Sequence, residues 1–197
     1  MNAICFRRGY YYEFSNFFNC DVTWRGFTFG NTEAIFQCEK SMPDRFGINA
    51  EIMKSMSGRE AKKYGRFNIT LRPDWEDKKL DILLDILVQK FTQNDDLREI
   101  LLGTTSKFII EDTTGWHDND YGRCTCPKCY VKPAGNYLGT SLMLTRAFLR
   151  GEEDCVVHCT DKRDRTYEID LKDEDSVRYA LDLMGVQSYP EFVRNLV

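Results

Sequence analysis

The sequence predicts an α+β fold, mainly helical with short strands, in a compact single domain that carries a C-terminal β-hairpin and helix extension. Three observations predict it. The first thirty residues alternate aromatic and polar side chains, as short strands do. The middle of the chain changes to helical periodicity, with apolar residues three and four positions apart. A chain of 197 residues with 42% hydrophobic composition is long enough to bury one core.

Helices in the middle of the chain are predicted by apolar periodicity and capping residues. One begins with a capping box of Ser57 and Glu60, and we expect it to end at Gly65. A longer helix begins at Asp74 and carries a strong apolar stripe. The stripe consists of Leu80, Leu83, Leu84, Leu87 and Phe91. A further helix runs from about Asp95 to Gly103.

The C-terminal part begins with a short strand, KFIIED, and a helix, YLGTSLMLTRAFLR, that Gly151 closes. Residues 151–197 form an extension of unknown role. Its CVVHC and TYEIDL segments predict a hairpin, and amphipathic helices are expected from about Asp175 and Ser188. The extension can cover an apolar face, form a dimer contact or recognise a polymer that carries the substrate.

Composition excludes some classes of function and bears on the cysteines. A net charge of −4 argues against broad electrostatic gripping of nucleic acid. No apolar run reaches membrane length and the N-terminus lacks a signal-peptide core, so we expect a cytoplasmic protein that binds no membrane. In that compartment the eight cysteines are thiols or metal ligands. We expect Cys5, Cys20 and Cys38 to be small buried apolar side chains.

Three cysteines lie within six residues, Cys124, Cys126 and Cys129, in a long polar loop. Thiolates so close in sequence lose little loop entropy on binding one ion, and zinc suits them better than an iron–sulfur cluster. His117 is the nearest candidate for a fourth ligand, and four protein ligands would make the zinc structural. The alternative ligands are Cys155, His158 and Cys159. Three reduced thiols without a metal remain the other interpretation.

One helix face can support chemistry. Glu33, Gln37 and Lys40 recur at i, i+4 and i+7 and therefore stack over about 10 Å of one face. Such a face is more often solvated than catalytic. The polar loop adds carboxylates beside aromatic side chains, the types that glycosyl chemistry uses. These carboxylates are Glu111, Asp112, Asp118 and Asp120, beside Trp116 and Tyr121.

Eight motifs in order give the sequence its most specific signal. They are YEFSNF (12–17), TEAIFQCEK (32–40), YGR (64–66), RPDW (72–75), QKFTQN (89–94), IIE (109–111), DNDYG (118–122) and GNYLGTSLMLTR (135–146). Together they resemble the NADAR family, also called YbiA-like. The resemblance covers roughly residues 10 to 150, and the extension lies outside it.

The resemblance implies an N-glycosidase domain over residues 1–150, with the compact, largely helical α+β fold of the family and no redox cofactor. Members cleave the bond between ribose and a base or amine. Their substrates are ribosylamino-pyrimidine phosphates of riboflavin synthesis or ADP-ribose attached to guanine. Carried over by motif position, the pocket candidates are Asn16, Glu33, Lys40, Arg72, Trp75, Glu111, Asp118 and Asn136.

Roles for these residues can be proposed from their chemistry. Lys40 is expected to attack the anomeric carbon and form a Schiff base with the opened sugar. Glu33 is favoured, and Asp118 second, to stabilise the cationic centre or protonate the leaving base. Trp75 either stacks on a base or packs in the core, and Asn136 either binds substrate or caps a helix. The candidates for phosphate binding are Arg7, Arg8, Arg66 and Arg72.

Three departures from the family pattern are visible. Ala34 stands where members commonly have His, and Tyr121 stands where many have Trp. The cysteines belong to an insertion at residues 117–134, so zinc is expected to clamp a loop that shapes the pocket.

The leading hypothesis is removal of ADP-ribose from guanine in DNA, RNA or a free nucleotide. A hydrolase of a small ribosylated metabolite is the enzyme alternative, and an ADP-ribose-binding module is the alternative without catalysis. The presence of both Glu33 and Lys40 favours catalysis.

Overall fold

The computed structural model describes residues 3–7, 9–105, 107–129, 135–151, 156–160 and 166–170. Its elements, in chain order, are β1 Ala3–Phe6, β2 Val22–Trp24, β3 Phe27–Phe29, α1 Thr32–Glu39, α2 Phe46–Met53, α3 Gly58–Asn68, α4 Trp75–Gln93, α5 Asp95–Leu102, β4 Phe108–Glu111, α6 Tyr137–Arg150, β5 Val156–Thr160 and β6 Thr166–Asp170. Short 3₁₀ turns lie at Tyr12–Phe14 and Pro43–Arg45. The predicted α+β fold is confirmed.

The described residues between 13 and 100 form one compact unit, in which α1 is central. Helices α2, α3 and α4 and strand β3 all pack against α1. Every residue of α1 is therefore buried. Strands β2 and β3 form a tight hairpin through Arg25 and Gly26, both with positive φ. Such a turn needs left-handed backbone at its two central positions, which glycine adopts without strain.

Most of the helix features predicted from the sequence are present in this unit. The capping box of Ser57 with Glu60 is present at the start of α3. Along α4 the stripe from Leu83 to Phe91 is buried, and Leu80 is half-buried. The expected end at Gly65 is wrong, because α3 continues to Asn68. Gly65 is instead buried in the helix interior, where α3 packs on α1.

The described residues before 13 and after 100 form the second compact unit. Here β1 and β4 pair in parallel, from Ala3 with Phe108 to Phe6 with Glu111. Helix α6 packs on β4 and β5, and Gly151 closes it with φ 84°. The predicted C-terminal hairpin is confirmed as β5 paired with β6.

Some predictions fall outside the described residues, namely the helices expected from Asp175 and Ser188, together with Arg8 and Cys155. The domain boundary at residue 150 stays a prediction. Within the described residues, no helix combines the length and apolar composition that a bilayer crossing requires.

Candidate active site and metal centre

The first turn of α1 is held by Asn31 and Asn16, which accept hydrogen bonds from two of its free backbone amides. Asn31 is the N-cap, and its Oδ1 accepts a hydrogen bond from the Ala34 amide at 2.9 Å. The Asn16 carbonyl accepts from the Glu33 amide at 2.9 Å. The Asn16 side chain accepts from the Thr32 hydroxyl at 3.0 Å. Asn16 therefore orders the turn that carries Glu33.

Glu33 and Gln37 form a buried pair on α1. Their side chains are 5% and 3% exposed, and the Gln37 amide donates to the Glu33 carboxyl at 2.7 Å. The expectation of a solvated helix face is therefore wrong, because packing around α1 covers this face as well. Burial raises the pKa of the Glu33 carboxyl. The charges of Lys62 and Lys40 and the hydrogen bond from Gln37 partly offset that rise.

Gln37 packs so closely on α3 that no side chain fits at Gly65. A Cβ added there would lie 2.1 Å from Gln37 Oε1. Among the described residues, Gln37 Oε1 is a buried oxygen without a hydrogen-bond donor. If the Glu33 carboxyl is protonated and the Gln37 amide turns by half a rotation, the acid proton can reach that oxygen. The pair thus tolerates a neutral Glu33.

Lys40 follows the last turn of α1 and lies in an aromatic corner. Its ammonium nitrogen is 5.6 Å from the ring centroids of both Phe36 and Trp75. The two rings meet edge to face at 5.0 Å. Burial lowers the pKa of Lys40, Glu33 opposes that shift and Lys62 adds to it. Trp75 is only 5% exposed, so the structure favours packing beside Lys40 over stacking on a base.

Arg72 is engaged with carboxylates rather than open to a phosphate. Its guanidinium makes two hydrogen bonds to Asp74, at 2.6 and 2.8 Å. It also lies 3.9 Å from Glu39, a buried carboxylate on α1. Glu39 in turn accepts from the Trp24 indole at 2.6 Å and from Arg25 at 2.8 Å. The positive charges of Arg25 and Arg72 compensate the negative charge of Glu39, and the contacts of Glu39 with Trp24 and Arg25 join the β2–β3 hairpin to α1.

The Cys/His cluster brings four potential ligands together. The ligand atoms of His117, Cys124, Cys126 and Cys129 all lie within 4.8 Å of one another. His117 Nδ1 is 3.3, 3.4 and 3.6 Å from the three sulfurs. A tetrahedral zinc ion with ordinary bond lengths separates nitrogen from sulfur by about 3.5 Å. His117 has φ 61°, in the left-handed region that residues other than glycine adopt uncommonly, and its Nδ1 faces the three sulfurs.

Two of the predicted alternative ligands, His158 and Cys159, are described only as backbone of β5. The prediction of His117 as the nearest fourth ligand agrees with the geometry. The single cysteines differ among themselves: Cys38 is buried as predicted and Cys20 is half-buried. The prediction for Cys5 is wrong, because its side chain is exposed on β1.

Two pocket candidates of the second unit, Asn136 and Asp118, hold the backbone around the loop with their side chains. Asn136 accepts from the Glu111 amide at 3.1 Å and donates to the Ile109 carbonyl at 2.9 Å. It occupies the N-cap position of α6 with φ 49°, but its side chain makes no capping bond. One Asp118 oxygen accepts from the amides of Asp120 and Tyr121, both at 3.0 Å. Glu111 ends β4.

Lys90 was missed by sequence reasoning. It is fully buried on α4, and its ammonium donates to the carbonyls of Glu13 at 2.6 Å and Ser15 at 2.9 Å. Burial lowers its pKa to about 8. It thereby fixes the segment before Asn16, which orders the start of α1. A lysine three positions after Leu87, on the apolar stripe, was the signal that could have revealed it.

Comparison with known proteins places the chain. The model of the NADAR domain family matches residues 5–150. The N-glycosidase YbiA of Escherichia coli K12 is 31% identical over 117 residues, 57% of this chain and 72% of that protein. N-glycosidase Npun_R5314 of Nostoc punctiforme is 29% identical over 140 residues, 70% of this chain and 85% of that protein.

A solved structure agrees with the sequence comparisons. The NMR structure of Escherichia coli YbiA superposes with a TM-score of 0.61 and 30% identity, and the match covers 73% of this chain and 80% of that one. Helix α1, which carries Glu33, and Lys40, which follows it, lie inside the matched family region. The chain therefore belongs to the NADAR family.

Proposed function

We propose that this protein is an N-glycosidase that removes ADP-ribose from guanine in DNA, RNA or a free nucleotide. Family membership supports the reaction class, since relatives in Escherichia coli and Nostoc punctiforme are named N-glycosidases. One observation carries the proposal: Glu33 is a buried carboxyl group on α1, Lys40 at the end of that helix lies in an aromatic corner, and the two charges act on each other.

The environment of each group favours its neutral form. Burial raises the pKa of Glu33 and lowers that of Lys40, so an acid and an amine coexist more readily on one helix. Opposite shifts of this kind assign the acid and the nucleophile of a reaction. A neutral amine can attack carbon, and a neutral carboxyl group can supply a proton to a leaving base.

The proposed reaction runs in two steps. The Lys40 amine attacks the anomeric carbon, the bond to guanine breaks with its electron pair on nitrogen, and Glu33 gives its proton to that nitrogen. The glycosylamine opens to a Schiff base as its ring oxygen takes a proton. Water then adds to the Schiff base, Lys40 leaves as the free amine, the surplus proton on its nitrogen returns to the Glu33 carboxylate, and the sugar closes with a hydroxyl at its anomeric carbon. The net reaction consumes one water.

We assign the phosphate groups of the substrate to cations on α3. Lys62 and Arg66 lie four residues apart on one face of that helix and are both exposed. The charge of Lys62 acts on both Glu33 and Lys40, and α3 packs on α1, which supports a place for Lys62 near the reacting groups. Arg72, expected from the sequence, is already bound to Asp74.

The remaining assignments stay predictions from motif position. Glu111, Asp118 and Asn136 are expected to serve the same reaction, with Asp118 as the second choice for the acid. The cytoplasmic location and the absence of a redox cofactor are also predictions.

Release of ADP-ribose from an oligonucleotide modified on guanine tests the proposal. Wild type should turn the substrate over, and Lys40→Ala should be slower by about 10³-fold or more. Lys63→Ala is the matched control, since Lys63 is an exposed lysine on α3. Full activity of Lys40→Ala would contradict the mechanism.

Parallel assays with the alternative substrates distinguish this proposal from the other two hypotheses. Hydrolysis of ribosylamino-pyrimidine phosphates, with no release from the oligonucleotide, would favour the metabolite hydrolase and contradict the guanine substrate. Tight binding of ADP-ribose without turnover of either substrate would make the protein a binding module.

We also infer that His117 and the three cysteines hold a structural zinc ion. The distances from His117 Nδ1 to the three sulfurs, 3.3 to 3.6 Å, fit a tetrahedral site with no open position. Protein purified without chelator should contain about one equivalent of zinc, and His117→Ala should contain less. Less than about a tenth of an equivalent in well-folded wild type would overturn the assignment.

A further inference from the structure

Asn119 connects the metal centre to the turn that carries Asp118. Its Oδ1 accepts from the Cys124 amide at 3.0 Å, and its Nδ2 donates to the Cys129 carbonyl at 3.4 Å. Cys124 and Cys129 lie on either side of the cysteine knuckle and are both buried. One amide side chain therefore bridges the backbones of two ligand residues.

The backbone next to Asn119 holds a second set of bonds. The Asn119 carbonyl accepts from the Gly135 amide at 2.7 Å. Asp118, the preceding residue, accepts from the amides of Asp120 and Tyr121 through one carboxylate oxygen. The turn of residues 118–121 is thus fixed at both ends, by the knuckle through Asn119 and by its own carboxylate.

This turn also satisfies the first amides of α6. The Tyr137 amide donates to the Asp120 carbonyl at 3.1 Å, and the Leu138 amide donates to the Tyr121 carbonyl at 3.0 Å. The first amides of a helix have no partner inside it and need one outside. Asn136 cannot serve them, because its side-chain amide is bonded to the backbone of β4. The turn therefore acts as the cap of α6.

We propose that Asn119 is a positioning residue that transmits metal occupancy of the Cys/His cluster to the 118–121 turn and to the first turn of α6. Binding of zinc fixes the knuckle, the knuckle fixes the Asn119 side chain, and Asn119 holds the Asp118 carboxylate and the α6 cap in place. The proposal rests on the zinc assignment and does not require the N-glycosidase reaction.

Hydrogen exchange of the intact protein, with and without zinc, tests this coupling. In zinc-loaded wild type, peptides spanning 118–124 and 135–142 should be protected, and a chelator should release both together. Zinc-loaded Asn119→Ala should exchange in both peptides about three- to tenfold faster than wild type. Chelation should then add little to exchange in the 135–142 peptide, because the connection is already cut.

Thr114→Ala is the matched control. Thr114 also ties the loop to the knuckle, through the Thr125 hydroxyl at 3.0 Å and the Thr125 amide at 3.2 Å, but within the described residues it makes no hydrogen bond to the 118–121 turn. Its variant should leave the 135–142 peptide protected. Asn119→Asp keeps the acceptor for Cys124 and should restore part of the protection that Asn119→Ala loses.

The outcomes separate clearly. Wild-type exchange in zinc-loaded Asn119→Ala, or equal release by Thr114→Ala, would overturn the proposal. Weaker zinc binding by Asn119→Ala, with Thr114→Ala unchanged, would support it, because coupling between two sites is reciprocal. Failure of the glycosidase assay would leave these exchange results standing.

Discussion

The helix face of Glu33 and Lys40 and the loop of the Cys/His cluster keep their geometry by different means. On α1, backbone hydrogen bonds space the side chains, and helices on several sides bury them. In the loop, no regular element spans the described residues between β4 and α6. Its order comes from side-chain hydrogen bonds such as those of Asn119, and four potential metal-ligand atoms lie within 4.8 Å of one another.

This difference bears on what each region can do. A helix buried on every side maintains shifted pKa values without a ligand, because burial itself produces the shifts. In the loop, the proposed zinc would add to the side-chain hydrogen bonds, so its order should depend in part on metal binding. Changes to the helix face should therefore alter chemistry or stability while zinc content stays constant.

The largest effect is expected from removing the acid on α1. Glu33→Gln keeps the shape and the hydrogen bond to Gln37 but cannot donate a proton, so turnover should fall by about 10²- to 10⁴-fold. Zinc content should not change. Turnover within a factor of two of wild type would rule out Glu33 as the acid.

The same variant has a signature in stability against pH. The pKa of Glu33 is raised above its usual 4.5, so the folded state binds this proton more tightly than the unfolded state. Wild type should therefore lose stability as the pH rises from about 4.5 through the raised pKa, and Glu33→Gln should lose less over that window. Parallel urea titrations of the two proteins measure the difference, and identical curves would contradict the burial of a titrating Glu33.

A steric change at Gly65 should come next in size. The new Cβ of Gly65→Ala would lie 2.1 Å from Gln37 Oε1 and 2.9 Å from Gln37 Cβ, so the free energy of unfolding should fall by about 1–3 kcal/mol. Gly47→Ala on α2 is the control, because its Cβ would lie 3.9 Å from the nearest atom. The control should gain up to about 1 kcal/mol from helix propensity. Equal gains in both variants would contradict the close contact between α3 and α1.

The smallest net effect near neutral pH is expected at Lys90, because two opposing contributions partly cancel there. Lys90→Met leaves the carbonyls of Glu13 and Ser15 without this donor, which costs about 1–3 kcal/mol, but it also removes the cost of burying a charge.

The pKa of Lys90 is about 8 when folded against 10.5 when unfolded, so the unfolded state binds more protons between these values. Wild-type stability should thus gain up to about 3 kcal/mol from Lys90 as the pH rises from 8 to 10.5.

The Lys90→Met variant should lack this gain. Chemical denaturation at pH 8 and pH 10.5 compares the two proteins, and a gain of the same size in both would show that Lys90 does not titrate in this window.

Local features of the fold could be predicted because local physics determines them. The capping box at Ser57, the stripe of α4 and the C-terminal hairpin depend on residues close in sequence. The Cys/His cluster was predictable for the same reason, since its four residues lie between 117 and 129. The predicted helix end at Gly65 was wrong because glycine can either terminate a helix or allow two helices to pack closely. Gly65 does the second.

Features that depend on distant residues could not be predicted. The burial of Glu33 comes from elements far along the chain that pack around α1. Lys90 bonds to the Glu13 carbonyl across 77 residues, and no periodicity reveals that pairing. Asn119 has the role of a bridge only because the loop folds back on itself. The sequence showed that Glu33, Gln37 and Lys40 share one helix face, but it did not show that other elements bury this face.

Trapping of the covalent intermediate tests the role of Lys40 most directly. Wild type is incubated with guanine-modified oligonucleotide and borohydride, which reduces a Schiff base to a stable amine, and its peptides are then mapped by mass spectrometry. We predict one ADP-ribose-derived adduct on Lys40, absent from Lys40→Arg and present in Lys63→Ala. Continued turnover with no adduct on Lys40, or an adduct on another lysine, would contradict the proposed mechanism.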